Sequence, residues 1–200
     1  MTALRTIRLV VWVAVAILAG VAIWIVWLNQ SGGVPGVTAA QIGGPFTLTD
    51  QNGETVTEAA LQGHPSAIYF GYTYCPDVCP TTLADLTQWM SDLGASADRL
   101  KVYFVTVDPE RDTREVMASY LQAFDPRFIG LTGTRPQIDQ IIQAYRVYSR
   151  KVPGENGSYT MDHTATVLLL DGKAQLVSTI DYQEKPEQAL AKLKRLIGTS

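Results

Sequence analysis

Both cysteines of the chain stand in the stretch GYTYCPDVCP, residues 71–80, as Cys75 and Cys79, separated by three residues and each followed by proline. Two thiols so close together can serve as a structural bridge, as a redox pair or as part of a metal site. A bridge closing so short a loop removes little entropy from the unfolded chain, so it is weak as a staple. A structural zinc site takes four protein ligands, and besides the cysteines the sequence offers two histidines, His64 and His163. His64 lies in the polar turn LQGHPS with nothing beside it at ligand spacing, and reads as solvated. His163 lies in SYTMDHTATVLLL, next to Asp162 and at the start of a run that predicts a buried strand. Two thiolates and one imidazole form a soft donor set of low coordination number, which suits Cu(I) better than harder divalent ions. A purely structural histidine at 163 stays open on these residues alone.

The elements that must hold these groups are legible in the hydropathy pattern. FTLTDQNGETVT predicts a hairpin turning at Asn52 and Gly53, a pair that accepts positive φ. SAIYFGY, residues 66–72, is a continuous apolar run of the kind covered on both faces, and it leads directly into the cysteine motif. Leu83, Leu86, Met90 and Leu93 then recur at helical spacing, KVYFVTV predicts a second buried strand, and TREVMASYLQAF predicts a helix capped by Asp112 or Thr113. RPQIDQIIQAYRVY predicts a third helix, with Pro136 near its first turn and Ile138, Ile141, Ile142 and Tyr145 on one face. TATVLLL and AQLVSTI, flanking Asp171 and Gly172, predict an antiparallel hairpin, and PEQALAKLKRLIG a closing amphipathic helix. Strand–helix units followed by a hairpin and a helix describe a thioredoxin-like α/β sandwich with a mixed sheet and an N-terminal β-hairpin. In such a sheet the loop after SAIYFGY puts both thiols at a helix N-terminus, where thiolate is stabilised. Their i, i+4 spacing on one helical face puts the Cβ atoms about 5–6 Å apart, close to the ~3.8 Å of a disulfide, so a small movement opens or closes the bridge.

Leu9–Leu28 carries twenty residues without a charge or strongly polar group, enough as a helix to span the ~30 Å of bilayer hydrocarbon. Residues 1–28 are thus expected to be an uncleaved transmembrane anchor. The run exceeds a signal-peptide apolar region and ends in Trp27 and Leu28 rather than at a small-residue cleavage site. Arg5 and Arg8 precede it and no charge follows it closely, so its N-terminus is expected in the cytoplasm and the rest outside. The expectation is a single-pass protein of the cell inner membrane with its C-terminal domain in the periplasm. Residues 29–44, NQSGGVPGVTAAQIGG, read as a flexible linker and 45–200 as one domain. Beyond the anchor nineteen acidic residues face fourteen basic ones, a formal charge of −5, which makes nucleic acid a poor partner.

TYCPDVCPTTL, VDPERDT and YTMDHT, in this order and spacing, resemble the Sco/SenC family, and the resemblance covers about residues 44–198. It implies a membrane-tethered, thioredoxin-like domain that binds copper, as Cu(I), Cu(II) or both, through Cys75, Cys79 and His163. The work implied is assembly of the dinuclear copper site of cytochrome c oxidase subunit II, by copper delivery, by reduction of that site's cysteines, or both. Other partners implied are another extracytoplasmic copper protein, further copper chaperones and thioredoxin-like reductants. Cys75 and Cys79 would be the redox dithiol of a reductase, and a copper or redox sensor is a third reading. Thiol oxidoreductases of this fold usually have two residues between their cysteines and a proline facing them. Here there are three, and His163 stands in the neighbourhood of that proline. Asp162 orients the histidine or is simply solvated, Met161 is expected in the core, and Asp108 to cap the turn after its strand while lying near the site.

Overall fold

The computed structural model describes residues 12, 13, 15, 17–21, 24 and 42–198. The N-terminal ones among these are helical. No helix among the described residues is long and apolar enough to cross a membrane. Most of the expected anchor, and residues 29–41 of the expected linker, lie outside them.

Beyond residue 42, a seven-stranded sheet has the order β2-β1-β5-β4-β3-β8-β9. Its centre is parallel: β3 (Ser66–Gly71), β4 (Lys101–Thr106) and β5 (Phe128–Thr132). The crossovers are helices, α1 (Val78–Leu93) and α2 (Arg114–Leu121). The predicted hairpin of β1 (Thr47–Asp50) and β2 (Thr55–Thr57) adds antiparallel to β5. Gly53 takes φ +95° in its turn, while the Asp50 carboxylate accepts from the amides of Asn52 and Glu54. On the other side β8 (Val167–Leu170) pairs antiparallel with β3 and β9 (Leu176–Ile180) with β8. This is the thioredoxin-like mixed α/β arrangement that the element order predicts.

All six residues of β3 are buried, as the unbroken apolar run requires. Tyr69, Phe104 and Gly130 lie in register on one face, with α2 close enough that a Cβ at Gly130 would meet Leu121 at 2.7 Å. Phe70 points to the other face, where it meets Tyr145 at the end of α3 (Arg135–Ala144). Thr134 and Gln137 cap α3 reciprocally and Pro136 sits in its first turn, while Ile138 and Ile141 are buried. The closing helix α4 (Pro186–Gly198) buries Ala189, Leu193, Leu196 and Ile197.

Three features differ from the sequence reading. FIGLT forms the third parallel strand, β5, although it is too short and too interrupted by glycine to announce itself. A separate antiparallel ribbon joins β6 (Ser149–Pro153) to β7 (Tyr159–His163), and His163 ends β7 rather than starting the buried strand, which begins at Val167. Neither strand of the ribbon has a covered apolar face, so neither has a core-strand signature. The Asp171–Gly172 hairpin turns over a longer loop: Asp171 exchanges backbone bonds with Ala174 and Gln175, and positive φ falls on Ala174. Of the two caps expected for α2, Thr113 is the one formed, its hydroxyl accepting from the Val116 amide.

Candidate metal centre

β3 ends at Gly71, and the chain runs through an irregular loop to the first turn of α1, with Cys75 in the loop and Cys79 in the helix. The two thiols therefore do not share a helical face. The Cys75 sulfur instead sits at the helix N-terminus and accepts the Cys79 amide at 3.3 Å, taking the place of a capping oxygen. The helix needs that acceptor, because the Asp77 side chain makes no capping bond. Cys79 is fully buried and Cys75 partly exposed. Gly71 makes room for the buried sulfur: a Cβ there would lie 2.9 Å from Cys79 Sγ and 2.7 Å from the Phe104 ring.

His163 comes from the ribbon. Its Nε2 lies 3.4 Å from Cys79 Sγ, and its Nδ1 is 2.9 Å from the Thr164 carbonyl. That carbonyl accepts from the Nδ1 N–H, which turns Nε2 toward the sulfurs. The ring stands edge-on to Tyr72 and Tyr69, at centroid separations of 5.8 and 6.4 Å. The two sulfurs and a ring nitrogen lie within 4.8 Å of one another. Cys75, His163, Tyr72 and Met161 line an open cleft of 430 Å³.

The thiols carry unequal charge. The hydrogen bond from Cys79 brings the Cys75 thiol from 9.0 down to about 3; His163 and the amides of Asp77 and Cys79 assist, and burial opposes. Cys79 is pushed up, by that same bond to Cys75 and by burial. The pair thus holds its first negative charge easily, on Cys75, and its second with difficulty.

The other expected residues are sorted by the structure. His64 lies by Ser66, at the far end of β3 from the cysteines. Met161 is buried, as expected. Asp162 is exposed and reaches Tyr148 and Arg150, so the Thr164 carbonyl orients His163 instead. Asp108 does accept the turn amides of Arg111 and Asp112 through its carbonyl. Its buried carboxylate also pairs with Arg111 Nε and accepts the Tyr159 hydroxyl at 3.0 Å.

Two residues of the VDPERDT motif do more than the sequence discloses. Asp112, fully buried, accepts from the Thr73 amide and hydroxyl and from the Thr106 hydroxyl, while Thr132 donates to its carbonyl. It thereby ties the start of the cysteine loop to the ends of β4 and β5. The Arg111 guanidinium lies 3.7 Å from the Tyr159 ring centroid, 4.7 Å from that of Tyr74 and 5.6 Å from that of Tyr72, and donates to the Tyr159 carbonyl. It clamps the ribbon bearing His163 to the loop bearing Cys75. Tyr72 and Tyr74 flanking the cysteine loop are the one sequence signal that could have pointed to such a clamp.

With this geometry in hand, comparison with known proteins is specific. The family described as SCO1/SenC matches residues 35–198. Protein SCO2, mitochondrial, of Saccharomyces cerevisiae is 38% identical over 160 residues, which are 78% of this chain and 53% of that protein. Protein SCO1 homolog, mitochondrial, of Homo sapiens is 37% identical over 155 residues, 76% of this chain and 52% of that protein. The matched region is thus about half the length of either relative. The solved structure of Bradyrhizobium japonicum ScoI with copper bound is 50% identical, with a TM-score of 0.73 over 78% of this chain and 99% of that one.

Proposed function

The chain belongs to the SCO1/SenC family, and from that premise we propose that it carries one copper ion, as cargo, on Cys75, Cys79 and His163 and helps to build the dinuclear copper site of cytochrome c oxidase subunit II. The observation that carries this reading is the convergence of two sulfurs and one ring nitrogen within 4.8 Å, on segments far apart in the chain. The donors fit the ion: they are soft, few and free of carboxylate, a set that holds Cu(I) and, with the imidazole, also Cu(II). The copper-bound relative at 50% identity supports the same reading. Cys75 meets the ion already charged, Cys79 releases its proton to bind, and His163 offers Nε2 because Nδ1 is engaged. Cys75 and His163 line the cleft while Cys79 lies behind them, so ligand exchange with an acceptor protein starts at Cys75 and His163.

The second reading, reduction of the target's cysteines, is favoured by the charge and partial exposure of Cys75. Its thiolate attacks a target disulfide, one target sulfur leaves as thiolate, and Cys79, once deprotonated, attacks the Cys75 sulfur to release the second. Two electrons pass to the target, and the Cys75–Cys79 disulfide remains.

The membrane placement belongs to the same proposal: an anchor over residues 1–28, a linker over 29–44 and a head from 45 on, in the periplasm. Its support is the uncharged run Leu9–Leu28 preceded by Arg5 and Arg8. The full-length chain, in detergent, should bind one Cu(I) as the dithiol and lose that affinity as the disulfide. Undiminished binding by the disulfide form would remove Cys75 and Cys79 from the ligand set. In cells lacking the protein, restoration of oxidase activity by added copper favours delivery, and failure of copper to restore it favours reduction.

A further inference from the structure

Tyr69 occupies the middle of β3, fully buried, its ring stacked on Phe104 with centroids 6.0 Å apart and edge-on to His163. Its hydroxyl is buried without a hydrogen-bond partner, and both rings it packs on border the Cys79 sulfur: His163 through Nε2 at 3.4 Å and Phe104 across the space left by Gly71. A buried hydroxyl left without a partner is destabilising, and a phenylalanine would keep the ring contacts without that cost. The polar atom therefore needs a reason to be there.

The reason lies in what happens to its neighbour. A neutral thiol sulfur is a poor acceptor. When a soft metal ion replaces the thiol proton, the sulfur becomes a thiolate in an apolar, water-free position, and a donor beside it gains a charged acceptor. We propose that Tyr69 is the hydrogen-bond donor to the metal-bound Cys79 thiolate, unsatisfied in the metal-free protein and satisfied on loading. Tyr69 is thus a positioning and tuning residue that favours the loaded state. The inference rests on the reading of Cys79 as a copper ligand.

The test is Tyr69→Phe in the full-length chain. Metal-free stability should stay the same or rise, because an unpartnered hydroxyl is lost, while Cu(I) affinity in a chelator competition falls by about tenfold. The ring-carbon resonance of Tyr69 should shift on Cu(I) loading of the unmodified protein. In the Cu(II) form, loss of the donor leaves a more strongly donating sulfur, so the thiolate-to-copper charge-transfer band should move to longer wavelength in the variant. Unchanged Cu(I) affinity with an unmoved band would overturn the proposal. So would a fall in affinity matched by an equal fall in metal-free stability, which would make Tyr69 a packing residue. If the unmodified protein binds no Cu(I), the copper reading itself fails. If it binds and Tyr69→Phe binds equally well, only the role of Tyr69 fails.

Discussion

Cys75 is the residue whose state decides the chemistry, and that state is set by its neighbours rather than by its type. Because its thiol is ionised above about pH 3, its alkylation in the reduced, metal-free protein should be close to a plateau from pH 5 to 8. An ordinary thiol, with a pKa of about 8.5, would instead quicken tenfold per unit over that range. Cys79, protonated and buried, should stay unlabelled throughout. A rate that climbs steadily from pH 5 to 8 would refute the assignment of the charge. For His163→Ala, Cu(I) should bind more weakly through the two sulfurs, Cu(II) should lose most of its affinity, and the dithiol should still oxidise reversibly. Chelator competition in both oxidation states together with a redox titration checks this, and unchanged affinity in both would make His163 structural. The three donors were legible because their types are rare here and their chemistry narrow. The Asp112 and Thr164 contacts were not, since an aspartate becomes a strand tie, and a carbonyl an orienting group, only through what the fold brings to it.

At the scale of elements, the site is a junction of three pieces: the end of β3, the first turn of α1 and the open end of the β6–β7 ribbon, where His163 pairs with Ser149. Continuous apolar runs and helical spacing disclosed the first two. The ribbon stayed hidden because it hangs outside the sheet and its strands bury little, and β5 because Gly130 interrupts a short run. Gly71, at the end of β3, leaves the space that the Cys79 sulfur of α1 fills. Gly71→Ala should displace the Cys79 sulfur or the Phe104 ring, costing about 1–3 kcal/mol of stability in chemical denaturation and weakening metal binding. Metal affinity equal to that of the unmodified protein would show that the sulfur has room to spare. Arg111→Ala removes the clamp between ribbon and loop and leaves the buried Asp108 carboxylate without its cation. Amide exchange across residues 149–163 should accelerate and metal affinity fall, while Cys75 alkylation persists. Lysine should not restore the clamp, because it lacks the planar fork that stacks on tyrosine while donating in two directions. Unaltered exchange in the ribbon would refute the clamp.

At the scale of the whole molecule, the proposed arrangement is an acidic head on a short lead. If residues 29–44 act as the proposed flexible lead, sixteen residues would reach about 20–24 Å and hold the cleft close to the bilayer surface. Deleting most of residues 31–43 should impair oxidase maturation in cells and leave copper binding by the purified chain unchanged; full maturation with the shortened chain would remove this role for the lead. The contact between Cys79 and His163 joins residues 84 positions apart. A chain made at about 5–20 residues per second delivers its cysteines roughly 4–17 s before its histidine. The centre therefore has a history within each molecule's synthesis: it begins as a bare dithiol, open to oxidation, and acquires its third donor only when the ribbon has been made and folded against the cysteine loop.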